Sequence, residues 1–181
     1  MKVVTGEMKG TTIGIPRAAI RCTSDKVRQA VFDVIRGADV TSVLDIFAGS
    51  GSMGLEALSS GASRAVFVDS ERACIDAIRS NISRCGFDDK SEVLDTDAYS
   101  AMELLWRKGD AFDLIFSDPP YHGQDAKKSL ISLAGYDILS QHGILVIEHL
   151  KNVTLPDRAE GLILYKTKLY GDTALSFYTK D

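Results

Sequence analysis

Residues 43–61 read VLDIFAGSGSMGLEALSSG, an apolar run, a glycine-rich turn and a helix of small residues closed by Gly61. Ser42 to Ile46 suits a buried strand of a parallel sheet. Gly49, Gly51 and Gly54 spell G-x-G-x-x-G between that strand and a helix expected around Met53 to Ser60. Glycine there lets the backbone turn tightly and approach a ligand closely.

Outward from this unit, strands and helices alternate, which predicts a parallel sheet with helices on both faces. Upstream, Val27, Ala30, Val31, Val34 and Ile35 share one face of a helix over about 24–36, capped by Thr23 or Ser24 and stopped at Gly37. Downstream come a strand at Ala65–Asp69, a helix over Arg72–Cys85 and a weaker strand near Ser91–Leu94. A helix holding Met102, Leu104, Leu105 and Trp106 follows, with Trp106 expected in the core among the leucines. Then come a strand ending at Asp118, a helix over 126–139 and a strand at 143–148. Leu162–Tyr170 and Ala174–Thr179, joined at Gly171-Asp172, read as an antiparallel hairpin. The first 22 residues, with Gly6, Gly10, Gly14 and Pro16, look like a small hairpin or arm. The expectation is one doubly wound, mostly parallel, seven-stranded Rossmann-like domain spanning 1–181.

Composition fits that picture. At 181 residues, with 45% hydrophobic and 25% charged residues, the chain has enough for one core and too little for two. No apolar run is long enough to span a bilayer, and MKVVTGEMKG lacks a signal-peptide core, so a cytoplasmic protein is expected. Cys22, Cys74 and Cys85 have no metal-ligand spacing and read as reduced thiols, the latter two as core residues. Net charge is −4. Residues 1–30 nevertheless carry +4, from Lys2, Lys9, Arg17, Arg21, Lys26 and Arg28 against Glu7 and Asp25. A basic segment on an acidic body suits local contact with nucleic-acid phosphate, though a solvated surface accounts for it nearly as well.

The chemistry sits at two strand ends. Asp69 ends the second strand twenty residues beyond Gly49, where a carboxylate can accept both hydroxyls of a ribose. Asp45 near the turn would repel a pyrophosphate and suits a cofactor carrying a cation, such as S-adenosyl-L-methionine with its sulfonium and ammonium. Asp97, past the third strand, is a candidate acceptor for an adenine amino group or else a helix cap. FDLIFSDPPY at 112–121 ends a buried strand at Asp118-Pro119-Pro120-Tyr121, because successive prolines donate no ladder hydrogen bonds. The Asp118 carboxylate and the Pro119 carbonyl would then be two fixed acceptors for an exocyclic amino group, with Tyr121 as a stacking ring. An Asp-Pro turn without function is the plain alternative. His122 reads as a surface imidazole, and His142 and His149 carry no signal.

VVTGEMKG, Arg21-Cys22-Thr23-Ser24-Asp25-Lys26-Val27-Arg28, LDIFAGSGSMGLEALSSGAS, FDLIFSDPPY and YGDTALSFY together resemble the class I S-adenosylmethionine-dependent methyltransferases, and within them the RsmD type that methylates guanine N2 in bacterial 16S ribosomal RNA. The resemblance runs nearly end to end. It implies cofactor contacts from Asp45, Phe47, Ala48, Gly49, Gly51, Asp69, Ser70, Asp97 and Ala98. It also implies a guanine held by Asp118, Pro119, Pro120 and Tyr121, with RNA facing the arm and first helix through Lys9, Arg17, Arg21, Lys26 and Arg28. Small-subunit RNA, naked or in an assembling 30S particle, is the implied partner, with no metal and a monomeric enzyme. Cys22 departs from the family's usual proline. Rival readings are a DNA adenine-N6 methyltransferase, which uses the same tetrad, a nicotinamide oxidoreductase, and a catalytically silent RNA-binding module.

Overall fold

The computed structural model describes residues 1–16, 23–120 and 125–181. Five helices flank one sheet within these residues. In chain order they are α1 (Asp25–Val34), β1 (Ser42–Ile46), α2 (Ser52–Ser59), β2 (Arg64–Asp69), α3 (Arg72–Cys85), β3 (Ser91–Asp95), α4 (Ala98–Lys108), β4 (Phe112–Ser117), α5 (Asp125–Tyr136), β5 (Leu139–Leu150), β6 (Arg158–Ala159), β7 (Leu162–Tyr170) and β8 (Thr173–Lys180). The sheet order is β3-β2-β1-β4-β5-β8-β7-β6. Strands β1 to β5 run parallel, and β8 and β7 close the sheet antiparallel.

The described sheet has eight strands where seven were expected. The addition is β6, whose two residues pair with Ile163 and Leu162 at the start of β7. Two residues after Pro156 are too short for any alternation to register. β5 also starts four residues early, at Leu139, because a shift in the β4–β5 pairing lets Leu139 meet Phe112. Gly143 permits this irregularity, since a Cβ there would lie 2.8 Å from the Phe112 carbonyl oxygen.

Alternate residues of the central strands face two apolar layers. Val43, Ala65, Phe67, Leu114, Phe116, Val146, Leu175 and Phe177 pack under α1, α2 and α3 together with Val3 and Ile13 of the arm. Leu44, Ile46, Val66, Val68, Ile115, Leu145 and Ile147 pack under α4 and α5. The helix after β1 therefore lies on one face and the helix after β4 on the other. Strand order reverses between these neighbours, which opens the crevice that open α/β sheets use for ligands.

Local signals set the helix ends. Ser24 accepts the Val27 amide and caps α1, and Gly86 and Gly109 take left-handed conformations after α3 and α4. The arm folds back on itself through a bridge between Lys2 and Thr12. Trp106 is not in the core: it is 54% exposed and tilts against Tyr136 on the outside of α4 and α5. The buried stripe of α4 is Ala98, Ala101, Met102 and Leu105, and Trp106 lies just beyond it.

Candidate active site

The turn after β1 is built from backbone that few residues tolerate. Phe47 has φ 61°, Gly49 58° and Gly51 75°, the last as the residue before α2. The Ala48 amide donates to the Val68 carbonyl at 2.9 Å, and the Gly49 amide donates to Asp69 Oδ2 at 2.8 Å. Asp69 Oδ1 accepts the Glu71 amide at 2.9 Å. Asp69 thus fixes the loops after β1 and β2 relative to each other, and each carboxylate oxygen has a further lone pair for a ligand hydroxyl. Gly54 serves packing: a Cβ would stand 2.3 Å from the Phe67 ring.

Asp45 lies beneath this turn at 1% exposure, and its Oδ2 accepts the Gly54 amide at 3.0 Å. Burial pushes its carboxyl up to about 8; the Gly54 amide opposes the shift and the Asp69 charge adds to it. A cation beside it would favour the ionised form, whereas a pyrophosphate would raise the cost further. The donor set therefore fits a cationic nucleoside cofactor. Asp97 caps α4, its exposed Oδ1 accepting the Tyr99 and Ser100 amides at 3.0 and 3.1 Å. The Ser100 hydroxyl and those amides hold its carboxyl below the usual range. It lies near Asp69, because Asp95 pairs with Asp69 and the Thr96 amide donates to the Asp69 carbonyl. Ser70 is exposed beside Asp69, Ala48 and Ala98 are buried, and Phe47 is half-buried against the α4–α5 layer.

The second strand end is adjacent. Ser117 pairs with Ile46 on one side and Ile147 on the other, so Asp118 emerges one strand away from the glycine turn, about 5 Å. Asp118 is half-buried, Pro119 buried and Pro120 exposed. A buried contact of 2.8 Å between the Ser117 and Ser129 hydroxyls ties the end of β4 to α5. Tyr121 and His122 lie outside the described residues.

The basic segment needs a correction. Arg28 is fully buried, donating to Glu56 Oε1 at 2.7 Å, to Asp25 Oδ1 at 2.5 Å and to the Lys2 carbonyl at 2.8 Å, so its guanidinium does not face an RNA phosphate. Lys9 and Lys26 are exposed as expected. Arg17, Arg21 and Cys22 lie outside the described residues. A cavity of about 320 Å³ between the arm, α1 and α2, lined by Thr5, Phe32, Ile35 and Ala57, opens at the amino end of β1, away from both strand ends.

Two positioning residues escaped sequence reasoning. Glu56 of α2 also accepts the Val4 and Thr5 amides at 2.8 and 2.9 Å, clamping the arm. Asn81 of α3, 1% exposed, donates to the Gly14 and Ser50 carbonyls, both at 2.9 Å, and accepts the Gly14 amide at 2.7 Å. One side chain thereby joins the arm to the cofactor turn. The available signal was a polar residue inside the apolar stripe Cys74, Ile75, Ile78, Ile82 and Cys85.

Comparison with known proteins agrees with this geometry. A protein of Bacillus subtilis strain 168 named "Putative rRNA methyltransferase YlbH" is 34% identical over 99% of both chains. The Escherichia coli K12 protein named ribosomal RNA small subunit methyltransferase D is 26% identical over 100% of this chain and 90% of its own. The solved structure of a hypothetical protein from Thermus thermophilus superposes with a TM-score of 0.87 at 27% identity, covering 100% of this chain and 99% of that one. The family model described as Conserved hypothetical protein 95 matches residues 1–179, and the chain belongs to that family, the RsmD-type methyltransferases.

Proposed function

We propose that the protein transfers a methyl group from S-adenosyl-L-methionine to the exocyclic N2 of a guanine in small-subunit ribosomal RNA. The observation that carries this reading is the adjacency of two strand ends: the turn held by Asp69 and the acid–proline ending at Asp118 leave neighbouring strands through the Ile46–Ser117 pair. A nucleoside cofactor on the first and a base on the second would meet across one strand spacing.

Asp69 would bind the ribose hydroxyls, Asp97 the adenine amino group, and Asp45 would lie on the side of the cofactor's cationic groups. Phe47, Ala48, Gly49, Gly51, Ser70 and Ala98 would form the surrounding wall. Bound there, S-adenosyl-L-methionine supplies an electrophilic methyl group. The Asp118 carboxylate and the Pro119 carbonyl would accept the two amine hydrogens of guanine, turning the nitrogen lone pair toward the methyl, while Pro120 stiffens the turn and Tyr121 stacks the base. The alkylated amine becomes acidic and passes one proton to Asp118 or to water. Catalysis is then chiefly positioning in a preorganised site. A target amine is reached only in an unpaired or flipped nucleotide. Lys9, Lys26, Arg17 and Arg21 would contact the RNA. The protein would act as a cytoplasmic monomer on an assembling 30S particle.

Incubation with methyl-labelled cofactor and small-subunit RNA, followed by nucleoside analysis, tests the reading. Label is expected in N2-methylguanine, and Asp118→Ala is expected to lower transfer by about 10²–10³-fold with cofactor affinity retained. Label entering only adenine N6 of DNA, or NADH binding without S-adenosyl-L-methionine binding, would overturn it.

A further inference from the structure

We infer that the face of β7 carrying Lys166, Lys168 and Tyr170, continued by Lys26 of α1, is an RNA-docking strip that leads away from the rim of the active site; the inference rests on the ribosomal RNA reading above.

Register fixes the face. Lys166 pairs with Phe177 and Lys168 with Leu175, and both partners belong to the apolar layer beneath α1, so the two lysines project on that side of the sheet. Tyr170 packs against the same layer, and the Lys26 ammonium stands 5.9 Å from its ring centroid. The irregularity between Leu164 and Lys166 brings Tyr165, 44% exposed, to within 6.0 Å of the Phe177 ring. Tyr165, Lys166, Lys168, Tyr170 and Lys26 therefore form one row of cations and aromatic rings. Tyr170 pairs with Thr173, which pairs with Leu150 at the carboxyl end of β5, so the row starts three strands from Asp118, about 14 Å across the sheet.

Charge selects the occupant. The neighbouring lysines of this end of the chain are neutralised, Lys151 by Asp172 and Lys180 by Asp137, both at 2.7 Å. Lys26, Lys166 and Lys168 are in no ion pair among the described residues, in a protein of net charge −4. Uncompensated lysines interleaved with tyrosines suit the phosphates and bases of a polynucleotide strand. The family resemblance placed RNA contacts on the arm and α1; the strip extends them onto the sheet.

Edge-strand lysines also discourage strand pairing, and β6 covers only the first two residues of β7. Charge reversal separates the roles, since glutamate blocks an edge as well as lysine does but repels phosphate. The test is the doubly substituted K166E/K168E protein titrated with in-vitro-transcribed small-subunit RNA over a range of salt. The expected result is at least about tenfold weaker binding at 0.1 M salt and a log–log salt slope shallower by about 1.5, with cofactor affinity and oligomeric state unchanged. RNA affinity and slope equal to those of the unsubstituted protein would overturn the strip, as would a change of oligomeric state without a change in RNA affinity, which would mark an interface between copies. Failure of the unsubstituted protein to methylate RNA would instead count against the proposed function.

Discussion

The two helical layers are assembled by different means. Beneath α4 and α5 the sheet meets Ala101, Met102, Leu105, Leu130 and Leu133, and the principal buried polar contact between a strand and that layer is Ser117 with Ser129. Beneath α1, α2 and α3 the apolar contacts are threaded by Arg28, Glu56 and Asn81, all at or below 1% exposure. Apolar packing tolerates many arrangements of similar volume, whereas a buried charge or amide demands particular partners. The polar layer is the one that must place the arm and the cofactor turn, neither of which the sheet positions by itself.

Glu56→Ala is the strongest way to break the contrast. It removes the buried partner of the Arg28 guanidinium, leaving it Asp25 and the Lys2 carbonyl, and is expected to cost about 3–5 kcal/mol in urea unfolding, while exposing the first 16 residues to protease in the folded state. Leu130→Ala in the other layer is expected to cost about 2–5 kcal/mol with no change at the arm. If both variants leave the arm equally protected, the distinction between layers is wrong.

Asn81→Ala sharpens the comparison at the site. It removes the partners of Gly14 and Ser50 and is expected to weaken cofactor binding about tenfold, read by calorimetry, with an unchanged rate constant at saturating cofactor. An equal loss in the saturated rate would show that the residue acts on the chemistry and not on the turn.

The smallest effect follows from Asp45. Because its carboxyl is raised to about 8 from an unfolded value near 3.8, the folded state binds more protons between those limits, and Asp45 reduces stability as pH rises through that window. Asp45→Asn should therefore be the flatter of the two in urea midpoint against pH. Cofactor affinity of the unsubstituted protein should increase as pH rises toward 8, since a cation favours the ionised acid. A pH-independent difference between the two proteins would remove Asp45 from the cofactor's cationic end.

Elements whose signal is local were legible in the sequence. β1 at Ser42–Ile46 and α3 at Arg72–Cys85 have the expected bounds, because each is an apolar pattern bracketed by a cap or a glycine. The ends of β1 and β4 were legible as well, the first from the glycine turn that follows it and the second from Pro119 and Pro120. What escaped depends on distant partners. Arg28 counted as surface charge, yet it lies within the stripe of Val27, Ala30 and Val31, and its partner Glu56 is 28 positions away. Trp106 was assigned by its neighbours in sequence, while its position depends on Tyr136 of another helix. β6 exists only because β7 is there to receive it.

The arm's anchors carry a consequence for how the protein is made. Val4 and Thr5 wait for Glu56, and Gly14 waits for Asn81, separations of 51 to 67 residues. Chains emerge from the ribosome amino end first, so the arm is synthesised before α2 and α3 and has nothing to dock on until they have followed it. Closing loops of that length costs entropy before any contact compensates it. The arm is therefore expected to be among the last parts of the chain to fold, and Asn81, which holds the cofactor turn through Ser50, completes its own hydrogen bonds only when Gly14 returns to it.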